Sequence, residues 1–346
     1  MKFGYVIVGS NPTSAVEQGL LAEKSGFHRV WVPDHFVDVN GDKLEPWTIL
    51  SAIAVKTKKV KLGSGVTDTQ RSHPARTAHA VACLDFLSSG RAVLGIGAGE
   101  AMNITPFGLP WDSPADRVAR LAEAIQVIQA LWKSTRENPT SFNGRFYKLE
   151  NAFMSQLPTQ RPHPPIYIGA IASKRALQVV GQLGDGWYGL LNTPETFKKG
   201  WSIVKEAAES AGRSAAQIEP SSHLMMAFPR NSAEKKAALL GGKAMLLMEK
   251  KVLATFGYSP QIEHYQRLMV LEADVKKVMT AAEEIPDDIA YRTMAIGGKE
   301  EVESKIEELA KAGVKHFAVA DFLAPASTKR TLKLFRGIIK KYVRAF

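Results

Sequence analysis

The chain has 346 residues, 45% of them hydrophobic and 23% charged, with a formal net charge of +11, an ordinary balance for a globular protein. A single cysteine, Cys83, excludes an intramolecular disulfide framework and a multi-cysteine metal site. No uninterrupted apolar run is long enough to span a bilayer.

Met1-Lys2-Phe3-Gly4 leads directly into a strand pattern, Phe3 to Val8, without the charged, apolar and cleavage regions of a signal peptide, so a cytoplasmic protein is expected. Asn11-Pro12-Thr13 then opens a helix that runs to Ser25 and closes at Gly26. Arg29 to Val32 is the second strand, ending at Pro33-Asp34-His35-Phe36. A polar loop with Asn40-Gly41-Asp42 leads to a helix from Trp47 to Val55. Val60 to Gly65 is the third strand and Pro74 to Leu87 the third helix. Cys83 lies there among Ala80, Val81, Leu84 and Leu87 and is expected in the core. Ala92 to Ile96 is the fourth strand, followed by a long helix, Ser113 to Trp132.

Phe142 to Tyr147 reads as a hairpin, since Asn143-Gly144 suits a two-residue turn. Strands at 166–168, 186–188 and 221–228 alternate with helices at 174–183 and 194–211. From Pro229 to Asp288 the periodicity becomes helical and rich in Lys, Glu, Met and Leu, which marks an insertion. A helix from Glu300 to Ala312, an eighth strand from Lys315 to Ala320 and a helix from Thr328 to Tyr342 complete the chain. Eight strands, each followed by helix, predict a single α/β domain over 1–346: a (β/α)8 TIM barrel with a helical insertion, 229–288, after the seventh strand. Long insertions at barrel strand ends carry specificity, so this one is expected to wall the substrate side, with Arg292 just beyond it.

In such a barrel the residues after each strand share the C-terminal face, where active sites sit. Four stretches therefore meet there: Asp34-His35, Gly65 to Asp68, Ala98 to Asn103, and Gly169 to Ser173. The centre of the pattern is Val93-Leu94-Gly95-Ile96-Gly97-Ala98-Gly99-Glu100-Ala101-Met102-Asn103, where an apolar strand breaks into glycines and delivers a carboxylate and an amide. His35 and Glu100 are candidate proton donor and acceptor; Asp34 can equally cap a turn. Gly169-Ala170-Ile171-Ala172-Ser173 precedes a helix, an arrangement that offers free N–H groups to an anion, most often a phosphate, or a simple N-cap by Ser173. The histidines show no spaced metal cluster, and no metal is expected. The spacing of Gly95, Gly97 and Gly99 is not a dinucleotide fingerprint, and neither a nucleophile elbow nor a phosphate-binding loop occurs. The basic excess, much of it in Lys56, Lys58, Lys59, Lys61 and Lys340 to Arg344, carries no nucleic-acid motif; it favours an anionic small molecule by steering.

Together these residues resemble the bacterial-luciferase-like superfamily, and within it the deazaflavin (F420)-dependent oxidoreductases. The resemblance runs through Trp31 to Phe36, Lys61 to Thr67, Gly90 to Asn103, Ile168 to Ala170, Gly184 to Trp187 and Ala312 to Val314. It implies F420 across the barrel mouth, its phosphate at Gly169, Ala170, Ile171 and Ala172 and its ring near Asp34, Gly65, Val66, Thr67, Ala98, Gly99 and Asn103. It also implies a non-prolyl cis peptide at Gly65-Val66, His35 and Glu100 as acid/base residues, and a homodimer, for which the helix face from Ala78 to Leu87 is a candidate. The sugar-phosphate dehydrogenases of the family place a Trp four residues after the His, where this chain has Val39; the methylene-tetrahydromethanopterin reductases share the start and the Leu-Gly-x-Gly-Val-Thr run. The expected activity is hydride transfer between C5 of F420 and a small substrate, an alcohol/carbonyl or a methylene-pterin. The alternatives are an FMN-dependent monooxygenase on the same barrel and a non-catalytic F420 carrier. Partners are small molecules, with neither nucleic acid nor membrane among them.

Overall fold

The computed structural model describes residues 1–9, 11–37, 44–260, 268, 272–324 and 326–343. Eight parallel strands pair edge to edge in chain order and close on themselves: β1 (Lys2–Val6), β2 (Arg29–Val32), β3 (Lys61–Ser64), β4 (Ala92–Gly97), β5 (Ile166–Gly169), β6 (Gly186–Leu190), β7 (Glu219–Ala227) and β8 (His316–Asp321). Closure is made by β8 against β1, with Phe3 opposite Phe317. This is the TIM barrel that the alternation predicts. Val39 and the Asn40-Gly41-Asp42 loop, parts of the inserted segment, and Arg344 lie outside the described residues.

Local sequence explains why each strand is followed by helix. Helices Pro12–Ser25, Pro46–Lys56, Pro74–Leu87, Pro114–Leu131 and Pro194–Ser210 all start on proline, whose fixed φ suits the first helical position and whose missing N–H costs nothing there. Asn11, Glu45, His73, Ser113 and Thr193 precede them, and each side chain accepts a hydrogen bond from a first-turn N–H. The helix Pro12–Ser25 ends at Gly26, where φ is +89°.

Two layers of core follow. Between strands and helices lies a continuous apolar shell that includes Leu50, Ile53, Leu62, Ile128 and Phe317, all buried. Inside the barrel Trp31, Val93, Tyr167 and Tyr188 pack together. Trp31 fits because its neighbours on both sides are glycines: a Cβ on Gly4 or Gly63 would come within 2.6 Å of its ring.

Three expectations need correction. The hairpin is real, with strands Thr140–Asn143 and Lys148–Ala152, but its turn is the four-residue loop 144–147 rather than Asn143-Gly144. The cause lies outside the hairpin: the Glu123 carboxylate accepts hydrogen bonds from the N–H groups of Arg145, Phe146 and Tyr147 and holds the longer loop. Cys83 is exposed, not buried. The buried stripe of its helix runs through Thr77, Ala78, Val81, Ala82, Leu84 and Asp85, which leaves Cys83 on the outer face with His79 and Phe86. After β7 come helices Ser232–Leu247, Lys250–Ala254, Glu272–Glu283 and Asp287–Thr293, so helical structure continues past Asp288 to Thr293 before a short strand, Ala295–Ile296, pairs with the end of β7. These helices share a second apolar core around Leu246, Leu247, Leu253, Val278 and Ile289. Among the described residues no helix is long and apolar enough to cross a membrane.

Candidate active site

The site begins with a bulge. Gly63 lies opposite Val93 and Thr67 opposite Ile96, so four steps beyond β3 face three steps of β4 and one residue is extra. Room for it comes from Gly95, where a Cβ would stand 2.0 Å from the Ser64 carbonyl oxygen. The Ser64 hydroxyl donates to the Gly95 carbonyl at 2.8 Å and accepts from the Gly95 N–H at 3.2 Å, which locks the bulge. The peptide bond that follows, Gly65–Val66, is cis. Val66 sits over a floor without side chains: a Cβ on Gly97 or Gly169 would meet its methyl groups at 3.1 Å.

Three residues pin the loop after β2. Arg71 lies 3.1 Å from the Asp34 carboxylate, donates to the Asp34 carbonyl at 2.6 Å and pairs with Asp68. The Thr67 hydroxyl donates to Asp34 as well. Burial pushes the Asp34 carboxyl up from its ordinary value, against the opposing pull of Arg71 and Thr67. Asn103 is buried, and its Oδ1 accepts hydrogen bonds from the N–H groups of Phe36 at 2.6 Å and Val37 at 2.9 Å. That fixes the amide orientation and, among the described residues, leaves its buried Nδ2 without a partner. His35 is therefore held from both sides. Its Nε2 lies 3.5 Å from Glu100 Oε2, which the Gly97-Ala98-Gly99 turn delivers, with Gly99 at φ +85°.

These groups line one cavity of about 500 Å³ at the C-terminal mouth of the barrel. Asp34, His35, Gly65, Val66, Thr67, Ala98, Gly99, Glu100, Asn103, Gly169, Ala170 and Ile171 all contribute to its wall. Ala172 does not. It is exposed, because the chain takes a left-handed turn there, φ +45°, before Ser173 accepts a hydrogen bond from the Ala176 N–H and starts the helix Lys174–Leu183. Arg292 is also off the cavity; its guanidinium stacks 4.7 Å from the Phe256 ring centroid.

Other residues of the wall carried no strand-end glycine signal. Tyr188 and His223 point into the barrel from β6 and β7, with the Tyr188 hydroxyl 3.5 Å from His223 Nδ1. Burial pushes the His223 imidazole down to about 4, so it is neutral, and its buried Nε2 has no partner among the described residues. Their alternation on apolar strands was the available clue. Met245, Glu249 and Lys251 come from the helices after β7, where helical periodicity alone does not show which side faces the barrel.

A barrel whose mouth combines a side-chain-free ledge, a strand bulge and an imidazole–carboxylate pair is an enzyme of the α/β-barrel oxidoreductase class. The chain belongs to the luciferase-like monooxygenase family, whose model matches residues 1–316. Among its relatives, it is 29% identical over 345 residues to the 5,10-methylenetetrahydromethanopterin reductase of Archaeoglobus fulgidus, covering 99% of each chain. It is 30% identical over 335 residues to the F420-dependent glucose-6-phosphate dehydrogenase of Amycolatopsis mediterranei, covering 91% of each. Among solved structures, an F420-dependent secondary alcohol dehydrogenase in complex with an F420-acetone adduct superposes with a TM-score of 0.81 at 25% identity, over 98% of each chain.

Proposed function

We infer that this chain is an F420-dependent oxidoreductase that moves a hydride between the cofactor and a small substrate of the alcohol/carbonyl or methylene-pterin type. The observation that carries this reading is the His35–Glu100 pair, 3.5 Å apart, beside a ledge kept free of side chains at Gly97, Gly99 and Gly169. The residues present suit F420. A flat ring fits on a ledge where any added Cβ would strike Val66, Ile104 or their neighbours, and Asn103 Nδ2 and His223 Nε2 are buried polar atoms with no partner of their own. The helix start at Ser173, with Gly169, Ala170 and Ile171 before it, suits the phosphate.

Bound F420 supplies the carbon that accepts or gives the hydride. The protein's part is positioning and proton handling. His35 takes the proton of a substrate hydroxyl on oxidation and returns it on reduction; Glu100 holds the proton that accompanies the cofactor's reduction. Asp34, Arg71 and Asn103 keep the His35 loop in register with Glu100. Leu190, Met225, Met245 and Phe322 add apolar surface to the wall and limit water. We further propose that the chain pairs with a second copy through the adjoining helix faces that expose Val55, Cys83, Phe86 and Leu87; light scattering of the F86E/L87E variant tests this, with a monomer expected.

The test of the reaction is an anaerobic screen in which purified protein and F420, oxidised or reduced, meet secondary alcohols, ketones and methylene-pterins. Substrate-dependent loss or gain of oxidised F420 absorbance is expected. Oxygen consumption with reduced FMN, and none of the F420 reactions, would contradict it and place the chain among the monooxygenases of its family.

A further inference from the structure

We propose that Glu249 is a second acid of this site: the helices after β7 supply a carboxyl to the cavity wall that Glu100 also lines. Glu249 precedes the short helix Lys250–Ala254 at the N-cap position, yet its side chain makes no capping hydrogen bond. Its backbone is fixed, the N–H donating to the Leu246 carbonyl at 3.0 Å and the carbonyl accepting from Val252 N–H at 2.8 Å. With the backbone satisfied and the cap unused, the carboxyl is left to the cavity, whose wall it joins together with Glu100.

The neighbours decide its charge. Leu246, Leu247, Val252 and Leu253, its neighbours in the chain, are buried. Burial, reinforced by the negative charge of Glu100, pushes the Glu249 carboxyl up to about 8, against a smaller opposing effect of Lys251. Lys250 lies on the same short helix; Lys243, on the preceding one, is taken by Asp287. Across the cavity stand His35, in contact with Glu100, and Asp34, paired with Arg71. Asp321 is occupied by the Ser327 and Thr331 hydroxyls, and His223 is neutral. Arg117 and Lys251 also line this cavity, but Lys251 acts on Glu249 more weakly than burial and Glu100 do, and two carboxylates at one site do not both ionise freely. Glu249 therefore keeps its proton at neutral pH. This end of the cavity then suits an uncharged hydrogen-bond acceptor such as a carbonyl oxygen and disfavours a phosphate, an extension that rests on the hydride-transfer reading.

The test is an infrared pH titration of protonated carboxyl groups in the full chain without cofactor, which makes it independent of whether F420 binds. Wild type should keep one carboxyl protonated at pH 7 and lose that proton near pH 8. The band should be absent in Glu249→Gln, and in Glu100→Gln the transition should move to lower pH while the band remains at pH 5. A band that persists in Glu249→Gln, or that ignores Glu100→Gln, would overturn the assignment. In the F420-linked assay glucose 6-phosphate, the anionic probe, should give no turnover; turnover with it would overturn the charge argument alone.

Discussion

The two ends of the barrel use the same residue types for opposite ends. At the bottom, Glu219 is surrounded: Lys2 at 2.5 Å, Arg29 at 2.9 Å, His316 at 3.6 Å and the Tyr167 hydroxyl all meet its carboxylate. Burial works to raise Glu219, but His316, Arg29 and Lys2 outweigh it and hold the carboxyl far below the ordinary range. At the top, the His35 imidazole, 3.5 Å away, is the one ionic partner of Glu100 among the described residues, and Glu100 lines the cavity. A carboxylate saturated with cations is a fixed structural charge; one that faces a cavity beside a histidine can exchange a proton. The lesson is that the number of partners, and not the residue type, separates framework from chemistry.

If that division holds, substitutions at the two ends give separable phenotypes. The largest effect belongs to the top. His35→Ala and Glu100→Gln should each lower kcat by about 10²–10⁴-fold while F420 affinity and the denaturation midpoint stay near wild type. Loss of stability of the same size in either variant would break the comparison.

Next comes the bottom. Glu219→Ala leaves Arg29 buried without its counter-charge and should cost about 3–5 kcal/mol in denaturant unfolding, with F420 affinity retained in the protein that remains folded. The pH dependence sharpens the point. Burial first, then Arg29, pushes His316 down from 6.5 to about 4. Between these values the unfolded chain binds a proton that the folded chain refuses, so stability falls as the pH falls. His316 alone should remove roughly 2 kcal/mol between pH 6.5 and 5. Glu219 acts in the same sense: its contribution is complete above its ordinary value of 4.5 and is lost as the pH drops through its depressed folded value. Urea melts at pH 6.5 and 5 check this, and His316→Gln should flatten the slope by about one proton.

What the sequence could show follows the same division. The fold was legible because the helix starts are written locally, in Pro12, Pro46, Pro74, Pro114 and Pro194 and the capping residues before them. The glycine ledge was legible because glycine there answers a backbone demand: the bulge needs Gly95 and the ledge needs Gly97 and Gly169. Glu249 was not legible. A lone glutamate in a Lys/Glu-rich helical segment reads as solvated surface until the helices are folded over the mouth. Nor was the role of Arg71, which depends on Asp34 and Asp68 arriving from separate strands. The misplaced turn at Asn143-Gly144 has the same origin, since Glu123 imposes it from another element. Long-range polar contacts leave little trace in local pattern.

Smaller effects refine the picture. Gly169→Ala places a methyl 3.1 Å from the Val66 side chain and should weaken F420 binding about tenfold, or 1.4 kcal/mol, with a much smaller change in stability. Cys83→Ser should leave activity unchanged, and a thiol reagent should modify Cys83 readily in the monomeric F86E/L87E variant without unfolding and more slowly in wild type, where the second copy covers it.

The most direct test of the central claim is a fluorescence titration of the purified chain with F420 and, in parallel, with FMN. Stoichiometric F420 binding, weakened in Gly169→Ala and preserved in His35→Ala and Glu219→Gln, is the predicted result. Firm FMN binding without F420 binding would contradict it.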